Sequence, residues 1–393
     1  MSVRLFAVCS PGLEPFLAQE LAQLNLLPPI SSLEPGSRPD VRSSLSAGEE
    51  TGGVEFAGDL DAIMLANLWL RTASRVLVRL GDFNALGFAE LRKKAGRLDW
   101  AHYLAAGQPV ALRVTCHKSR LYHSGAVAER VAGAIGDRLG YSPPMTDFDE
   151  NTEGDLPQLV VVRLEHDHCT ISLDTSGALL HRRGYRLATA KAPLRETLAA
   201  GMLLAAGWDR ASPLLDPFCG SGTIPIEAAW LSRGLAPGRL RRFAFMGWPG
   251  FDQRTWKALL DTTPPEPSTP SPLILASDRD AGAVRMAQAN AERAGVAAEI
   301  QFSCRAVSSV EPPTGPGWVV SNPPYGVRVS PTKDLRNLYA QLGNVLRLHC
   351  PGWHAAILSS DPRLLGQIGL KLNLDVSLVN GGINVKLARG IVP

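Results

Sequence analysis

No two cysteines lie close together in this sequence, no uncharged run is long enough to cross a bilayer, and net charge is almost absent. The six cysteines stand at 9, 116, 169, 219, 304 and 350. That scatter excludes a Cys-x-x-Cys zinc site and offers no disulfide framework. A reducing cytoplasm is the simplest home for such thiols. The longest uncharged stretch, 312–327, is broken by Pro and Gly and falls short of the ~20 apolar residues of a membrane span. "LFAVCSPGLEPF" near the N-terminus has too short an apolar run for a signal peptide. With a net charge of +3, a polyanionic partner has to be argued from where the charges lie. His166 and His168 have no third ligand near them in sequence, so no metal is expected. Two nucleotide-loop signatures are also missing. No Gly-Lys-Ser/Thr follows a glycine loop, and Pro225 stands where a dinucleotide fingerprint wants its third glycine.

What is present suits a globular chain of two or three domains, with 393 residues of which 45% are hydrophobic. Three composition breaks organise it. Residues 28–53 are rich in Pro, Ser and Gly and read as a loop in or beside a small N-terminal unit. "DFDENTEGD" (147–155) reads as a solvated acidic loop, and "TTPPEPSTPSP" (262–272) as a surface excursion. Between the first two, "PVALRVTCHK" is strand-like, and 125–140 carries Val127, Val131 and Ile135 at helical spacing. Residues 158–176 read as two strands with a turn near 165–168, giving an α+β unit of roughly 55–176. Beyond Pro193 apolar strands alternate with helices of ~15 residues, which predicts a doubly wound parallel sheet.

Ligands bind such sheets outside the carboxyl ends of the strands. The first strand ends in "DPFCGSGT", so Asp216, Pro217, Cys219, Gly220, Ser221, Gly222 and Thr223 are candidate cofactor contacts. The glycines allow close backbone approach, although a plain strand–helix turn needs them too. The second strand ends in "ASDRD". Asp278 there, flanked by Arg279, can accept both hydroxyls of a ribose, whereas Asp280 suits a helix N-cap better. A fourth strand runs into "VVSNPPYGVR" (319–328). Its two prolines make Asn322-Pro323-Pro324-Tyr325 a stiff loop, rich in acceptors and ending in a ring. Together these parts describe a nucleoside-cofactor site beside a planar amine.

"DPFCGSGTIPIEAA" and "SNPPYG" resemble the class I S-adenosylmethionine-dependent amino-methyltransferases. Within that class the chain is similar to the family that joins a THUMP RNA-binding domain to the catalytic domain. That family includes guanine-N2 methyltransferases of bacterial 23S rRNA and of tRNA. "HRRGYRLATAKAPLRETLAA" (181–200) and "RRFAFMGWPGFDQRTWKAL" (241–259) look closer to the rRNA branch. The resemblance implies a small N-terminal unit (1–60), a THUMP-like α+β domain (61–176), a basic linker (177–195) and a Rossmann-like methyltransferase domain (196–393). It also implies S-adenosyl-L-methionine as cofactor and RNA, either 23S rRNA or tRNA, as partner in the cytoplasm. The chain departs from the family after its third strand, where Arg305, followed by Ala306, takes the place of the acidic residue that usually meets the adenine.

The loop explains how such a reaction could run. Guanine N2 is a poor nucleophile because its lone pair is delocalised into the ring. Acceptors from the Asn322 side chain and the Pro323 carbonyl would draw the nitrogen toward a tetrahedral shape, while Tyr325 stacks on the base. Positioning and electrostatics then carry the transfer, and a paired target base has to be flipped out. Basic clusters at 91–97, 116–124, 181–186 and 233–242 could hold phosphates. Candidate RNA contacts are Lys118, Ser119 and Arg120 at a strand–helix junction, with Arg182, Arg183 and Arg186 in the linker. Two rivals stay open: a DNA adenine-N6 enzyme, which shares the Asn-Pro-Pro-Tyr logic, and a non-catalytic RNA-binding assembly factor with a decayed cofactor site.

Overall fold

Two sheets form in turn along the chain, and the central strands of the second are buried almost continuously, as parallel strands covered on both faces are. The computed structural model describes residues 2–27, 52–150, 156–186, 194–262, 271–325 and 335–393. Most of the 28–53 loop, the tail of the acidic run, linker residues 187–193, most of the Pro-rich 262–272 excursion and the last three residues of "VVSNPPYGVR", 326–328, lie outside them.

The first sheet comprises β1 (Val3–Cys9), β2 (Gly53–Gly58), β3 (Ala73–Asn84), β4 (Val110–His117), β5 (Gln158–Glu165) and β6 (His168–Asp174). Helices α1 (Glu14–Gln23), α2 (Leu60–Trp69), α3 (Phe88–Ala95) and α4 (Ser124–Leu139) join or flank these strands. The strand order is β2-β1-β3-β6-β5-β4. The sheet therefore runs unbroken across the boundary expected at residue 60. Asp59 starts α2 by accepting from the Ala62 N–H. Helix α4 buries Val127, Val131 and Ile135 and stops at Gly140, whose φ of 77° is left-handed. It is the crossover that lets β4 and β5 pair in parallel. The acidic run is not wholly solvated, because Glu150 pairs with Arg75 at 2.7 Å and Arg113 at 3.1 Å.

The second sheet follows α5 (Glu196–Ala206). Its strands are β7 (Leu214–Asp216), β8 (Ile274–Asp278), β9 (Ile300–Cys304), β10 (Trp318–Ser321), β11 (His354–Ser359), β12 (Asn373–Asn380) and β13 (Ile383–Ile391). Five helices accompany them: α6 (Thr223–Ser232), α7 (Gln253–Asp261), α8 (Ala281–Ala294), α9 (Arg336–His349) and α10 (Pro362–Gln367). The order is β12-β13-β11-β10-β7-β8-β9. From β9 to β11 every pair is parallel, as the strand–helix alternation predicts. The C-terminal edge departs from that expectation, since β13 inserts antiparallel between β11 and β12. Gly381 and Gly382, both at positive φ (58° and 82°), close the two-residue hairpin that reverses the chain.

Two arginines, Arg183 buried and Arg241 half-buried, join the halves. Arg241 Nη1 donates to the carbonyls of Leu179 (2.6 Å) and Arg182 (3.2 Å). Its Nη2 donates to those of Ser176 (3.1 Å) and Ala178. Burial pulls this guanidinium down to about 9. Arg183, 2% exposed, donates to the carbonyls of Leu180 and Arg71 and pairs with Glu227 at 3.3 Å. Trp248 Nε1 reaches back to Gln158 Oε1 at 2.8 Å. The cluster expected at 233–242 to face a polyanion is therefore divided: Arg241 turns inward, Arg239 is half-buried and donates to the Ala294 carbonyl, Arg233 pairs with Glu299 while 39% exposed, and Arg242 is exposed.

Candidate active site

The order of the second sheet reverses between β7 and β10, and that crevice is where such sheets take their ligands. Asp216, at the end of β7, is 1% exposed. It accepts from Ser321 Oγ of β10 at 2.5 Å and from the Phe218 N–H at 3.2 Å. Burial pushes its carboxyl up to about 7 against those two hydrogen bonds, with Asp278 adding to the rise.

The turn that follows is tightly built. Cys219 N–H donates to the Ser277 carbonyl (2.9 Å), and Gly222 N–H to that of Cys219 (2.8 Å). Asn290 Nδ2 holds the Ser221 carbonyl at 3.0 Å, and Arg186 donates to Thr223 Oγ1. Gly222 has φ 85°, and a Cβ there would sit 2.9 Å from that of Ala287. Gly220 has φ 51°, and a Cβ there would meet nothing within 4 Å, so this part of the turn faces open space. Pro217 is buried. So is Cys219, whose thiol burial drives far above the ordinary range, which removes it as a nucleophile.

Asp278 braces this turn from β8. One oxygen accepts from the Gly220 N–H and the other from the Asp280 N–H, both at 3.0 Å. Asp280 caps α8 by accepting from Gly282 and Ala283. Arg279, Arg305 and Ala306 are exposed beside it. The Arg305 N–H donates to the Asp278 carbonyl at 3.0 Å, and its side chain donates to the Ser309 carbonyl at 3.2 Å.

At the end of β10 the Asn322 Oδ1 is buried and has no hydrogen-bond partner among the described residues, as is also true of Ser277 Oγ at the end of β8. A buried acceptor left unpaired costs about 1–3 kcal/mol. Pro323 is buried and Pro324 exposed. The Pro324 carbonyl accepts from Tyr339 Oη of α9 at 3.3 Å, and that hydroxyl lies 3.4 Å from Ser359 Oγ. Tyr325 departs from its expected role as an open stacking face. Its ring is 6% exposed and its hydroxyl accepts from Asn380 Nδ2 at 2.9 Å, so in this structure it props the loop.

The linker arginines depart further from expectation. Arg183 and Arg186 do not face solvent, because Glu227 and Glu196 neutralise them in the interior. Arg186 Nε lies 3.3 Å from Glu196 Oε1. Burial lifts Glu196 to about 7, opposed chiefly by Arg186. Arg182 is half-buried. Lys118, Ser119 and Arg120 lie together between β4 and α4, on the other sheet. Sequence reasoning missed Ser321, Asn290, Tyr339 and Asn380. Ser321 adjoins the motif and could have been found, but the other three carry no local signal. Among the described residues no three His, Cys, Asp or Glu side chains gather as metal ligands, and no helix is long and apolar enough to cross a membrane.

Three family profiles match. Residues 45–77 match the RlmL ferredoxin-like domain, 87–174 the THUMP domain, and 183–389 the RMKL-like methyltransferase domain. The ribosomal RNA large subunit methyltransferase K/L of Syntrophotalea carbinolica is 34% identical over 98% of this chain and 53% of its own length. The chain thus spans about half the length of the K/L relatives it matches. A Synechocystis sp. protein, provisionally named as an RNA methyltransferase, is 34% identical over 98% of this chain and 95% of its own length. A provisionally assigned methyltransferase, solved as its complex with S-adenosylhomocysteine, superposes over 100% of this chain and 98% of its own, with TM-score 0.83 and 28% identity. A glycine turn, a bracing aspartate and an unpaired asparagine carbonyl at one sheet edge, behind a THUMP-bearing sheet, are thus the parts of a chain that belongs to the RMKL-like methyltransferase domain family.

Proposed function

We propose that this chain transfers a methyl group from S-adenosylmethionine to the exocyclic N2 of a guanine in RNA, with 23S rRNA as the substrate. The observation that carries the reading is the buried, unpaired Asn322 Oδ1 at the switch point. An acceptor held dry without a partner is what a substrate N–H would satisfy.

The residues fit the cofactor. Gly220 opens toward empty space, which suits close approach of a ligand to the turn. Asp278 and the unpaired Ser277 Oγ offer polar partners for a ribose diol. Asp216, 1% exposed, places a carboxyl beneath the turn, where it accepts from Ser321 Oγ and the Phe218 N–H and ties the ends of β7 and β10 together. When bound, the cofactor supplies an electrophilic methyl on a sulfonium. The chain's own residues do the rest. Asn322 Oδ1 accepts an N–H of the guanine amine, turning its lone pair out of conjugation. The Pro323 carbonyl is the second acceptor. Tyr339 and Asn380 hold the loop through Pro324 and Tyr325, so the acceptors need little reorganisation. No strongly basic group is needed, because a methylated ammonium loses its proton readily to water. The first sheet delivers the RNA, and the Arg241 and Arg183 contacts hold it in register with the crevice. A cytoplasmic site of action follows from a ribosomal substrate.

The test is to map N2-methylguanosine in total RNA from cells with and without this chain. Loss of one such modification in 23S rRNA is expected, restored by the wild-type chain. An unchanged map, or a lost mark on DNA adenine, refutes the reading.

A further inference from the structure

The loop between β4 and α4 carries an aromatic ring where packing gives no reason for one. Tyr122 is 81% exposed, while its neighbour Leu121 is 5% exposed and anchors the loop in the core. The loop is also stiff. Ser119 Oγ donates to the His117 carbonyl (2.9 Å) and accepts the Asp167 N–H (3.0 Å). Asp167 Oδ1 takes the Arg120 N–H at 2.6 Å, and the His166 N–H closes on the His117 carbonyl at 3.2 Å. Lys118, His166 and Asp167 hold left-handed backbone (φ 45°, 50° and 65°) to make these contacts. The Arg120 side chain is 72% exposed, and Lys118 and His123 are exposed with it. Two carboxylates lie nearby: Asp167, 26% exposed and 4.0 Å from Arg120 Nε, is engaged in holding the loop, and Glu165 is paired with Arg163 at 2.7 Å.

We infer that this loop binds an unpaired nucleotide of the RNA, its base stacked on Tyr122 and the flanking phosphates held by Lys118 and Arg120. This rests on the RNA reading above and narrows it, since the loop selects a single-stranded feature rather than helix shape. A rigid mount suits the task, because a stacking platform held in place loses little freedom when the base arrives. Phosphate charge complements the two cations, and a base face complements the ring.

The test measures affinity of the full chain for two fluorescein-labelled RNAs of equal length, a blunt duplex and a hairpin with an unpaired loop, by anisotropy across a salt series. Tyr122→Ala is expected to weaken hairpin binding about 5- to 100-fold. It should leave duplex binding and the salt slope unchanged, and Tyr122→Phe should keep full affinity. A Lys118→Ala/Arg120→Ala double variant should weaken both RNAs and flatten the salt slope. In turnover Tyr122→Ala should raise KM and leave kcat unchanged. Equal losses on both RNAs, or none, overturn the inference while leaving the RNA reading intact. Failure of the wild-type chain to bind either RNA at low salt overturns that broader reading.

Discussion

Replacing Asn322 by Ala should move activity and stability in opposite directions. Its Oδ1 is buried with no hydrogen-bond partner among the described residues, and such an orphan costs the folded state about 1–3 kcal/mol. Truncation removes that cost but also removes packed atoms at the rim of the crevice, so a net gain of about 1 kcal/mol remains. For a domain near 200 residues that corresponds to a Tm rise of roughly 2–4 °C. The same change deletes one of two acceptors on the reacting amine. Loss of a single pre-aimed hydrogen bond of this kind costs kcat about 10²- to 10³-fold, or ~2.7–4 kcal/mol. Transfer of tritiated methyl from S-adenosylmethionine to a 23S rRNA fragment gives the rate, and scanning calorimetry gives the Tm. Affinity for the fragment should hold, because the N-terminal sheet is untouched. If Asn322 only shaped a turn, the variant would melt earlier and lose activity in proportion. Activity within a few-fold of wild type would remove the residue from the mechanism altogether.

Further expectations follow from the glycine turn and the carboxylate beneath it. Asp216 holds its proton up to about pH 7 when folded, against an ordinary value of 3.8. The stability it contributes is therefore fully present below about pH 4 and is lost as pH rises through 7, up to about 4 kcal/mol. Asp216→Asn should flatten that part of the profile, so the Tm difference between variant and wild type should widen from pH 5 to pH 8; parallel profiles would contradict the assignment. Gly222→Ala puts a Cβ on a left-handed residue 2.9 Å from Ala287 Cβ. It should cost at least ~1–2 kcal/mol and weaken cofactor binding by calorimetric titration, and unaltered affinity would show that the turn tolerates a side chain.

The glycine turn, the acid after the second strand and the Asn-Pro-Pro-Tyr loop lie about 50 residues apart in sequence from one to the next, yet their convergence was readable. Alternation of apolar strands and helices predicts a parallel sheet, and such a sheet carries all its carboxyl ends to one edge. The periodicity of α4 and the turn between β5 and β6 were legible for the same reason, since both depend on side chains a few residues apart. Which arginines face outward was not. Arg183, Arg186 and Arg241 look like a polyanion site in sequence, but Glu227, Glu196 and a run of linker carbonyls take them up inside. A charge is buried or exposed according to partners tens of residues away, as Glu227 is from Arg183, and no local pattern records them. Tyr325 follows the same rule, because its hydroxyl is claimed by Asn380, 55 residues on. The antiparallel β13 depended on a glycine pair that signals a hairpin but not where that hairpin docks. Local chemistry thus determined the elements and the kind of site they form, and only the folded chain decided which polar groups stay unpaired there.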